Sequence, residues 1–353
     1  MTTEFFTSEA ALRRHFERRS RQKAFPGGSA EDAGVWQIEA RAALYEILGL
    51  NHLAAVAPNA VLRETVQEDG YSREEWRIET EESVWMPFSL LIPDGMVSPA
   101  PLVICPHGHG SGGRAMVAGR HDLPGISEAI TRYRGDYGVQ MARAGLIAAC
   151  PDARGFGERR EAGLQGDDEA LGSSCRQILL AAAPLGLSVQ GLQTWDLMRL
   201  LDYLLTDLRI DGARVGGAGL SGGGMQLLDF AALDTRVKAS VVSGYFYGVR
   251  ESHQVLNNNC ACNLVPRLWE SFDMGDIAAL IAPRHLFIET GDSDGLNGAS
   301  GIANVTPQIK IAQNVFTLLG GDLRHDIFSG PHRWHGEDSV AWLKAQLTQR
   351  LFS

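Results

Sequence analysis

The strongest chemical signal in the sequence is a serine enclosed by glycines. Gly219-Leu220-Ser221-Gly222-Gly223 follows a predicted strand and precedes a predicted helix, and in that context a G-x-S-x-G pattern forms a nucleophile elbow. The serine of an elbow sits on a strained turn, so side chains two residues to either side would collide with adjacent backbone. The helix after the turn directs its free N–H groups at a developing anion. The pattern therefore predicts Ser221 as a nucleophile.

The same glycines allow a second interpretation. Gly217, Gly219 and Gly222 match G-x-G-x-x-G, the fingerprint of a dinucleotide site. That fingerprint belongs to the first strand-to-helix turn of its sheet and needs an acid at the end of the next strand. Here several strand candidates come earlier, and the next one, residues 239–243, carries no acid. A dinucleotide site is therefore the weaker interpretation, and a purely structural glycine turn is the third.

A serine hydroxyl needs a base, and the base needs an acid that orients it. On sheets with a nucleophile elbow the chain order is serine, then acid, then histidine. Asp292 and Asp294 follow a strand-like run at 285–289, and we assign Asp294 as the acid, with Asp292 holding the turn. His332 lies in a later loop before the last predicted helix and is assigned as the base, with His335 as the reserve candidate.

Backbone N–H groups are also needed to stabilise the oxyanion that forms when the serine attacks. The apolar run at 102–105 is followed by a loop rich in histidine and glycine at 107–110. Glycines there allow the backbone to approach the reacting atoms closely. We assign the two donors to the backbone N–H groups of His109 and Gly222.

Three side chains are candidates for contact with a substrate. Arg154 lies in the turn at 152–157 and is a candidate for binding an anionic group, with a role as loop anchor as the favoured alternative. Trp334 and Tyr245 are candidate cavity aromatics, and packing in the core is the alternative for both.

Three short motifs have the residue types of metal ligands. They are His107-x-His109, Cys260-x-Cys262 and His332-x-x-His335. Each is only half of a site, and no matching second half stands at the spacing of a structural zinc site. The sequence therefore predicts neither a metal nor another cofactor.

The elements that must position these residues alternate between strand and helix. The strand candidates are 61–67, 72–80, 83–92, 102–105, 146–150, 214–219, 239–242, 285–289 and 324–328, and the helix candidates are 8–24, 31–49, 136–144, 190–206, 222–232, 305–318 and 337–350. Short apolar runs between helices are typical of parallel strands covered on both faces. The pattern predicts an α/β fold with a doubly wound, mostly parallel sheet. The long connections at 111–135, 153–187 and 244–280 are predicted lids or cavity walls.

Charge and composition narrow the class of protein. The chain has 32 basic against 42 acidic side chains, a net charge of −10, whereas a general nucleic-acid binder needs a basic surface. The basic segment at 13–23 is interpreted as the solvated face of a helix. The sequence contains no apolar run of 18 residues and no signal-peptide pattern. We therefore expect no membrane span and no secretion. Five cysteines, an odd number, indicate free thiols and a cytoplasmic location.

Together these motifs resemble those of the α/β-hydrolase superfamily, and more closely its dienelactone-hydrolase-like and acetyl-xylan-esterase-like branch. The segments that carry the resemblance are Pro106-His-Gly-His-Gly110, Asp152-Ala-Arg-Gly-Phe-Gly157, Thr194-Trp-Asp196, Gly219-Leu-Ser-Gly-Gly223, Ile281-Ala-Pro-Arg284, the Gly-x-x-Asp turn at 291–294 and Gly-x-His-Arg-Trp at 330–334. The resemblance covers about residues 60–350 and implies an eight-stranded sheet, ester cleavage without a cofactor and a triad of Ser221, Asp294 and His332. One departure is the glycine-rich stretch at 295–301, where relatives often carry a proline-containing segment.

We therefore expect a helical N-terminal extension at 1–55 and a catalytic domain at 56–353. The extension has three candidate roles: cover of the sheet, cap of the site or subunit contact. The predicted function is a serine esterase that cleaves a small ester through an acyl-enzyme, with acetylated carbohydrate as the first substrate class. Lactone, amide or C–C bond cleavage are alternatives on the same scaffold, and a dinucleotide-dependent oxidoreductase is the alternative of another class. The expected partner is a small-molecule ester, not nucleic acid or a membrane, and homo-oligomer formation is left open.

Overall fold

The computed structural model of the protein describes residues 7–161, 163, 172–253 and 259–348. The strands are β1 (Val61–Glu68), β2 (Tyr71–Glu81), β3 (Val84–Pro93), β4 (Ala100–Ile104), β5 (Ile147–Pro151), β6 (Ile210–Leu220), β7 (Val237–Ser243), β8 (His285–Gly291) and β9 (Leu323–Phe328). The helices are α1 (Glu9–Arg19), α2 (Ala30–Ile47), α3 (Arg114–Val117), α4 (Ile126–Tyr133), α5 (Tyr137–Arg143), α6 (Cys175–Ala182), α7 (Val189–Leu204), α8 (Gly222–Leu233), α9 (Val249–Ser252), α10 (Leu268–Ser271), α11 (Met274–Ala279), α12 (Ile302–Leu319) and α13 (Ser339–Thr348). Each strand and helix candidate of the sequence corresponds to one of these elements. Residues 349–350, the end of the last helix candidate, lie outside the described residues.

Within the described residues, nine strands form one sheet in the order β1-β2-β3-β5-β4-β6-β7-β8-β9. Strands β1, β2 and β3 alternate in direction and β3 runs antiparallel to β5, whereas β5, β4 and β6 to β9 are mutually parallel. The sheet is mostly parallel, as expected, but the expected count of eight strands is wrong. The additional strand is β1, an edge strand with mostly exposed side chains. The strand pattern at 61–67 predicts it, and the count taken from the resemblance omits it.

Two layers of helices cover the parallel strands. Leu102 and Ile104 of β4 pack in one apolar cluster, which includes residues of α2, α7, α8, α11 and α12. Val103, between them, packs on the opposite face with residues of α5 and α13. Burial on both faces explains why these strands are continuous apolar runs in the sequence.

The parallel register brings the carboxyl ends of four strands to one edge of the sheet. Leu220 at the end of β6 pairs with Ser243, Ser243 pairs with Glu289, and Gly291 pairs with Phe328. In an open α/β sheet, ligands bind beyond this edge. The segments that follow β6 and β8, and the loop that follows β9, carry the three candidate catalytic residues.

The N-terminal extension packs on a helix layer. Helix α2 buries Trp36 and Leu44 in the same core cluster as the strands. The Gln37 side chain donates to the carbonyl oxygens of Ala279 and Ala282, both at 2.8 Å. Helix α2 contacts α8 and α12, so it covers the sheet-flanking layer. The division of the chain into two domains after residue 55 stays a prediction.

The basic N-terminal segment forms α1, a helix without buried residues. Arg19 pairs with Glu270 at 2.9 Å, and Arg21 donates two hydrogen bonds to the buried Asp276 at 2.8 and 2.9 Å. Arg19 and Arg21 are thus partnered by acids of the same chain. None of the helices in the described ranges combines the length and the apolar character needed to cross a bilayer.

Candidate active site

The turn between β6 and α8 has the geometry of a nucleophile elbow. Ser221 has a φ of 58° and a ψ of −123°, a conformation that costs a non-glycine residue about 1–3 kcal/mol. Its N–H donates to Ser243 O at 2.8 Å, which ties the elbow to the end of β7. A Cβ on Gly219 would lie 2.4 Å from Gly223 O, and a Cβ on Gly223 would lie 2.1 Å from Pro106 O. Both outer glycines of the motif are therefore required by close backbone approach.

The candidate base is held by one of the two candidate acids. His332 Nδ1 and Asp294 Oδ2 are 2.6 Å apart, and Asp294 Oδ1 accepts the Leu296 N–H at 2.8 Å. Because Nδ1 faces the carboxylate, Nε2 is the ring nitrogen left to accept a proton. Asp292 instead accepts the Gly330 N–H at 3.0 Å, and this backbone hydrogen bond lowers the pKa of Asp292. The structure thus brings Asp294 to the histidine and leaves Asp292 in the turn.

The three candidate catalytic residues line one cavity. Ser221, Asp294 and His332 all border a space of about 1220 Å³. Gly244, directly after β7, leaves room for the histidine ring, because a Cβ on Gly244 would lie 2.9 Å from His332 Cε1. The Tyr133 ring stands edge-on to the imidazole, with ring centroids 6.4 Å apart. Residues from three separate loops are therefore assembled at the carboxyl edge of the sheet.

A buried carboxylate holds the loop that follows the candidate base. Glu289, on β8, accepts the N–H groups of His335 at 3.1 Å and Gly336 at 2.9 Å, and the Ser339 hydroxyl at 2.5 Å. The His335 imidazole pairs with Asp326 at 2.8 Å and is not among the residues that line the cavity. The reserve candidate for the base therefore has a structural partner away from the serine. Sequence reasoning missed Glu289, although an acid within an apolar strand is itself a signal.

The loop after β4 lies directly against the elbow. A Cβ on Gly108 would lie 2.7 Å from Leu220 O and 3.1 Å from Ser221 Cβ. His107 fixes this loop, since its Nε2 accepts the Ala153 N–H at 3.1 Å and its Nδ1 lies 2.8 Å from Gly108 O. These contacts assign the ring proton to Nδ1, and burial lowers the pKa of His107. A neutral histidine thus holds the loop backbone in contact with the elbow.

The two assigned oxyanion donors are neighbours in space. A Cβ on Gly222 would lie 2.8 Å from His109 Nδ1. Gly222 is the first residue of α8, so its N–H has no acceptor within the helix. This N–H is available to an anion at the helix N-terminus.

Arg154 is packed away from the cavity. It donates to both carboxylate oxygens of Asp196 at 2.9 and 2.8 Å and also pairs with Glu81. Although burial opposes it, the charges of Arg154 and Arg159 lower the pKa of Asp196 to about 2. Arg154 is absent from the cavity lining, so its assignment as a substrate-binding residue is corrected. The guanidinium anchors a loop because two acids already use its donors.

The two candidate aromatics have different locations. Trp334 is fully buried, stacks on Tyr137 with ring centroids 4.9 Å apart and donates to Gln140 Oε1 at 3.0 Å. It does not line the cavity, so its substrate-binding assignment is also corrected: it packs in the core. Tyr245 does line the cavity, and its hydroxyl donates to Asn263 Oδ1 at 2.7 Å.

The long connections predicted as cavity walls do form walls. Tyr133 comes from the connection at 111–135, Arg176 from that at 153–187, and Tyr247 from that at 244–280, and all three line the cavity. Parts of the last two connections, residues 162, 164–171 and 254–258, lie outside the described residues.

One further cavity residue gave no sequence signal. His253 lines the cavity and stacks on Trp269 with ring centroids 5.8 Å apart and an interplanar angle of 16°. Burial lowers the pKa of His253 to about 4. It therefore presents a neutral imidazole among aromatic rings at neutral pH.

Two of the three short motifs with metal-ligand residue types contribute side chains that lie close together in space. His109 Nε2 lies 3.2 Å from Cys262 Sγ, and the ligand atoms of His109, Cys260 and Cys262 all lie within 4.8 Å of one another. A hydrogen bond with Cys260 raises the pKa of the Cys175 thiol, and the same contact lowers the pKa of Cys260. His107, the other histidine of that motif, instead accepts a hydrogen bond from the Ala153 N–H. His109 and the Cys260-x-Cys262 pair, which are far apart in the sequence, therefore lie side by side in the structure.

The sheet and the serine elbow define the class of protein, an α/β hydrolase. The Abhydrolase family profile matches residues 16–303, which is most of the chain, and the chain belongs to this family. The "Putative hydrolase YtaP" of Bacillus subtilis is 28% identical over 225 residues, or 62% of this chain and 68% of that protein.

Solved structures share the whole fold. A "putative acetyl xylan esterase" from Bacteroides fragilis superposes with a TM-score of 0.80 at 19% identity, covering 98% of this chain and 96% of that one. A glucuronoyl esterase from Solibacter usitatus superposes with a TM-score of 0.66 at 18% identity, covering 93% and 96%. The predicted α/β-hydrolase fold is confirmed.

The dinucleotide interpretation does not fit this architecture. Gly217 lies within β6 and Gly222 begins α8, so this turn follows the sixth described strand of the chain. A dinucleotide fingerprint occupies the first such turn. The glycines serve the serine elbow of a hydrolase.

Proposed function

We propose that the protein is a serine esterase in which Ser221 is the nucleophile, His332 the general base and Asp294 the acid that orients it. The observation that carries this proposal is the 2.6 Å hydrogen bond between His332 and Asp294 beside a serine on a positive-φ elbow. In such a triad the carboxylate stabilises the imidazolium that forms when the serine loses its proton.

The reaction follows from these positions. His332 Nε2 takes the hydroxyl proton of Ser221 as Oγ attacks the ester carbonyl, and the imidazolium then gives this proton to the leaving alcohol. Water enters by the same route: His332 takes its proton, the acyl–enzyme bond breaks, and Ser221 Oγ regains a proton from the imidazolium. No cofactor is needed for either half.

The oxyanion of each tetrahedral intermediate is stabilised by the N–H groups of Gly222 and His109. The close contact of Gly108 with Ser221 supports this role, since it places the loop after β4 against the nucleophile. The strained backbone of Ser221 and the positive N-terminal end of α8 both lie where the oxyanion forms.

The substrate we propose is a small ester of the O-acetylated carbohydrate class. Tyr133, Tyr245 and Tyr247 line the cavity and offer rings for the apolar faces of a sugar. A cavity of about 1220 Å³ accommodates more than a single monosaccharide. The names of structural neighbours, acetyl xylan esterases and glucuronoyl esterases, agree with an ester of this class.

The test is ester hydrolysis by matched serine variants. Ser221→Ala is expected to lower kcat/KM for p-nitrophenyl acetate and for acetylated xylose by roughly 10⁴-fold or more. Ser293→Ala is the control, because its hydroxyl is exposed and donates to Asp292 in the same loop. If Ser221→Ala keeps the activity of Ser293→Ala, the proposed mechanism is wrong. If the wild type cleaves the nitrophenyl ester but not acetylated sugars, only the substrate class is wrong.

A further inference from the structure

Three separate segments of the chain bring thiol and imidazole groups together beside the cavity. His109 comes from the loop after β4, Cys175 begins α6, and Cys260 and Cys262 lie in the connection between β7 and β8. We call these four residues the Cys–His cluster. They come from three connections that border the active-site cavity. An ion bound by residues of more than one connection would therefore link walls of this cavity.

The donor atoms are close enough to share one ion. His109 Nε2 is 3.2 Å from Cys262 Sγ, and the donors of His109, Cys260 and Cys262 lie within 4.8 Å of one another. In a tetrahedral zinc site with bonds of about 2.0–2.3 Å, neighbouring ligand atoms stand about 3.5–3.8 Å apart. Among the described residues, this group of mutually close donors holds one imidazole and two thiols, which gives three protein ligands.

Polar neighbours support the sulfur atoms from outside. The Asn263 amide lies 3.7 Å from Cys262 Sγ and the Ser173 hydroxyl 3.6 Å from Cys260 Sγ. Such hydrogen bonds stabilise the thiolate form that a metal requires. Cys175 and Cys262 are fully buried, whereas His109 and Cys260 reach the cavity, which leaves a path for the ion.

We propose that His109, Cys260 and Cys262 bind one Zn²⁺ ion, with water in the fourth position of a tetrahedral site. On binding, the two thiols lose their protons to solvent and the neutral imidazole keeps the proton on Nδ1, giving a complex of net charge zero.

The site would fix the loop that we assign to the oxyanion. His109 joins the cluster through Nε2, and its Nδ1 side lies against Gly222. Zinc would therefore hold the backbone of His109 beside the elbow and tie it to the connection between β7 and β8. This role does not depend on the identity of the ester, and the test below does not depend on catalysis.

The first measurement is metal content and thiol count on the full-length wild type. Protein stripped with a chelator, re-equilibrated with excess Zn²⁺ and desalted should carry one zinc per chain by mass spectrometry. With Co²⁺ in place of zinc, sulfur-to-metal charge-transfer bands and the visible bands of a tetrahedral ion are expected. A wild type that retains no zinc overturns the proposal, and so does a disulfide between two cluster cysteines in the protein purified without reductant.

Matched cysteine variants locate the site. Cys260→Ser and Cys262→Ser should each weaken zinc binding by about 100-fold or more, since even outer-shell substitutions cost 10–100-fold. Cys105→Ala is the control, because Cys105 is buried in a different apolar cluster from Cys262 and is not among the three close ligand donors. Zinc should raise the unfolding temperature of the wild type and of Cys105→Ala, but not of Cys260→Ser. Equal zinc affinity in all variants places the metal elsewhere and overturns the proposal.

Discussion

Two aspartates two positions apart have different surroundings, and this difference decides which of them can serve the histidine. Asp294 is 5% exposed and receives the His332 imidazole at 2.6 Å. Asp292 is exposed and accepts a backbone N–H from Gly330 instead. A charge held next to an imidazole stabilises its protonated form, whereas a charge in a turn only shapes the loop.

Single amide substitutions at these two positions should separate the two roles. Asp294→Asn is expected to lower kcat by about 10³–10⁴-fold, because the neutral amide cannot stabilise the imidazolium or fix its tautomer. Asp292→Asn should change kcat only a few fold. Steady-state kinetics on one nitrophenyl ester provides the measurement. Equal losses in the two variants would contradict the assignment of the acid.

At this scale the sequence predicted part of the site. Ser221, Asp294 and His332 could be chosen because the chain order of a triad is fixed by the order of strands in the sheet. Arg154 and Trp334 could not be placed, because their partners Asp196 and Tyr137 are determined by packing.

The Cys–His cluster was missed for a related reason. Its two-residue motifs are too short to signal a site alone, and their partners come from different connections. His107 and His109 are adjacent in the motif, yet one binds a backbone N–H and the other faces Cys262. Closeness in the sequence therefore did not predict which side chains lie close together in the structure.

At the scale of elements, β8 connects the candidate acid to the loop of the base. Glu289 on β8 accepts three hydrogen bonds from residues 335–339 and is 1% exposed. Asp294 comes five residues after Glu289, in the turn that follows β8. One strand thus helps to position both Asp294 and the loop that carries His332.

Replacing this carboxylate should destabilise the loop and slow the reaction together. Glu289→Gln presents an NH₂ group where donors already point, so we expect a loss of about 2 kcal/mol in the free energy of unfolding. We also expect kcat to fall more than KM changes, because the imidazole is misplaced. Asp326→Asn, which affects only the His335 pairing on the same loop, should cost less than about 1 kcal/mol. Urea unfolding and kinetics of both variants check this, and indistinguishable variants would show that Glu289 has no special role.

Element prediction succeeded where the pattern was long or fully buried. The parallel strands are apolar throughout because both faces are covered, and α2, α7 and α12 span 16 to 18 residues each. Helices α3, α9 and α10 have four residues each, which is too short for a periodic pattern. All three lie in the long connections at 111–135 and 244–280.

For the molecule as a whole, one buried acid makes stability depend on pH. Asp229 lies in α8 and receives a hydrogen bond from Gln190 of α7 at 2.5 Å. Burial nevertheless raises its pKa to about 7, from an ordinary value of 3.8. Because the folded state binds a proton that the unfolded state has lost, this group stabilises the fold fully below pH 4. The contribution is lost as the pH rises toward 7.

Asp229→Asn should therefore remove a pH-dependent cost. Relative to wild type, the variant is expected to gain stability between pH 4 and pH 8, by up to about 4 kcal/mol. Urea unfolding of both proteins across this range measures the difference. A difference that stays constant with pH would mean that Asp229 is ionised in the folded protein throughout.

The central claim concerns one serine made nucleophilic by its partners, and active-site labelling tests it most directly. A fluorophosphonate reacts only where a nucleophile and its base act together. We expect one phosphonyl group per chain, mapped by peptide mass spectrometry to Ser221, slow labelling of His332→Ala and no labelling of Ser221→Ala. Labelling at another residue, or full esterase activity in a protein that the reagent does not label, would contradict the account.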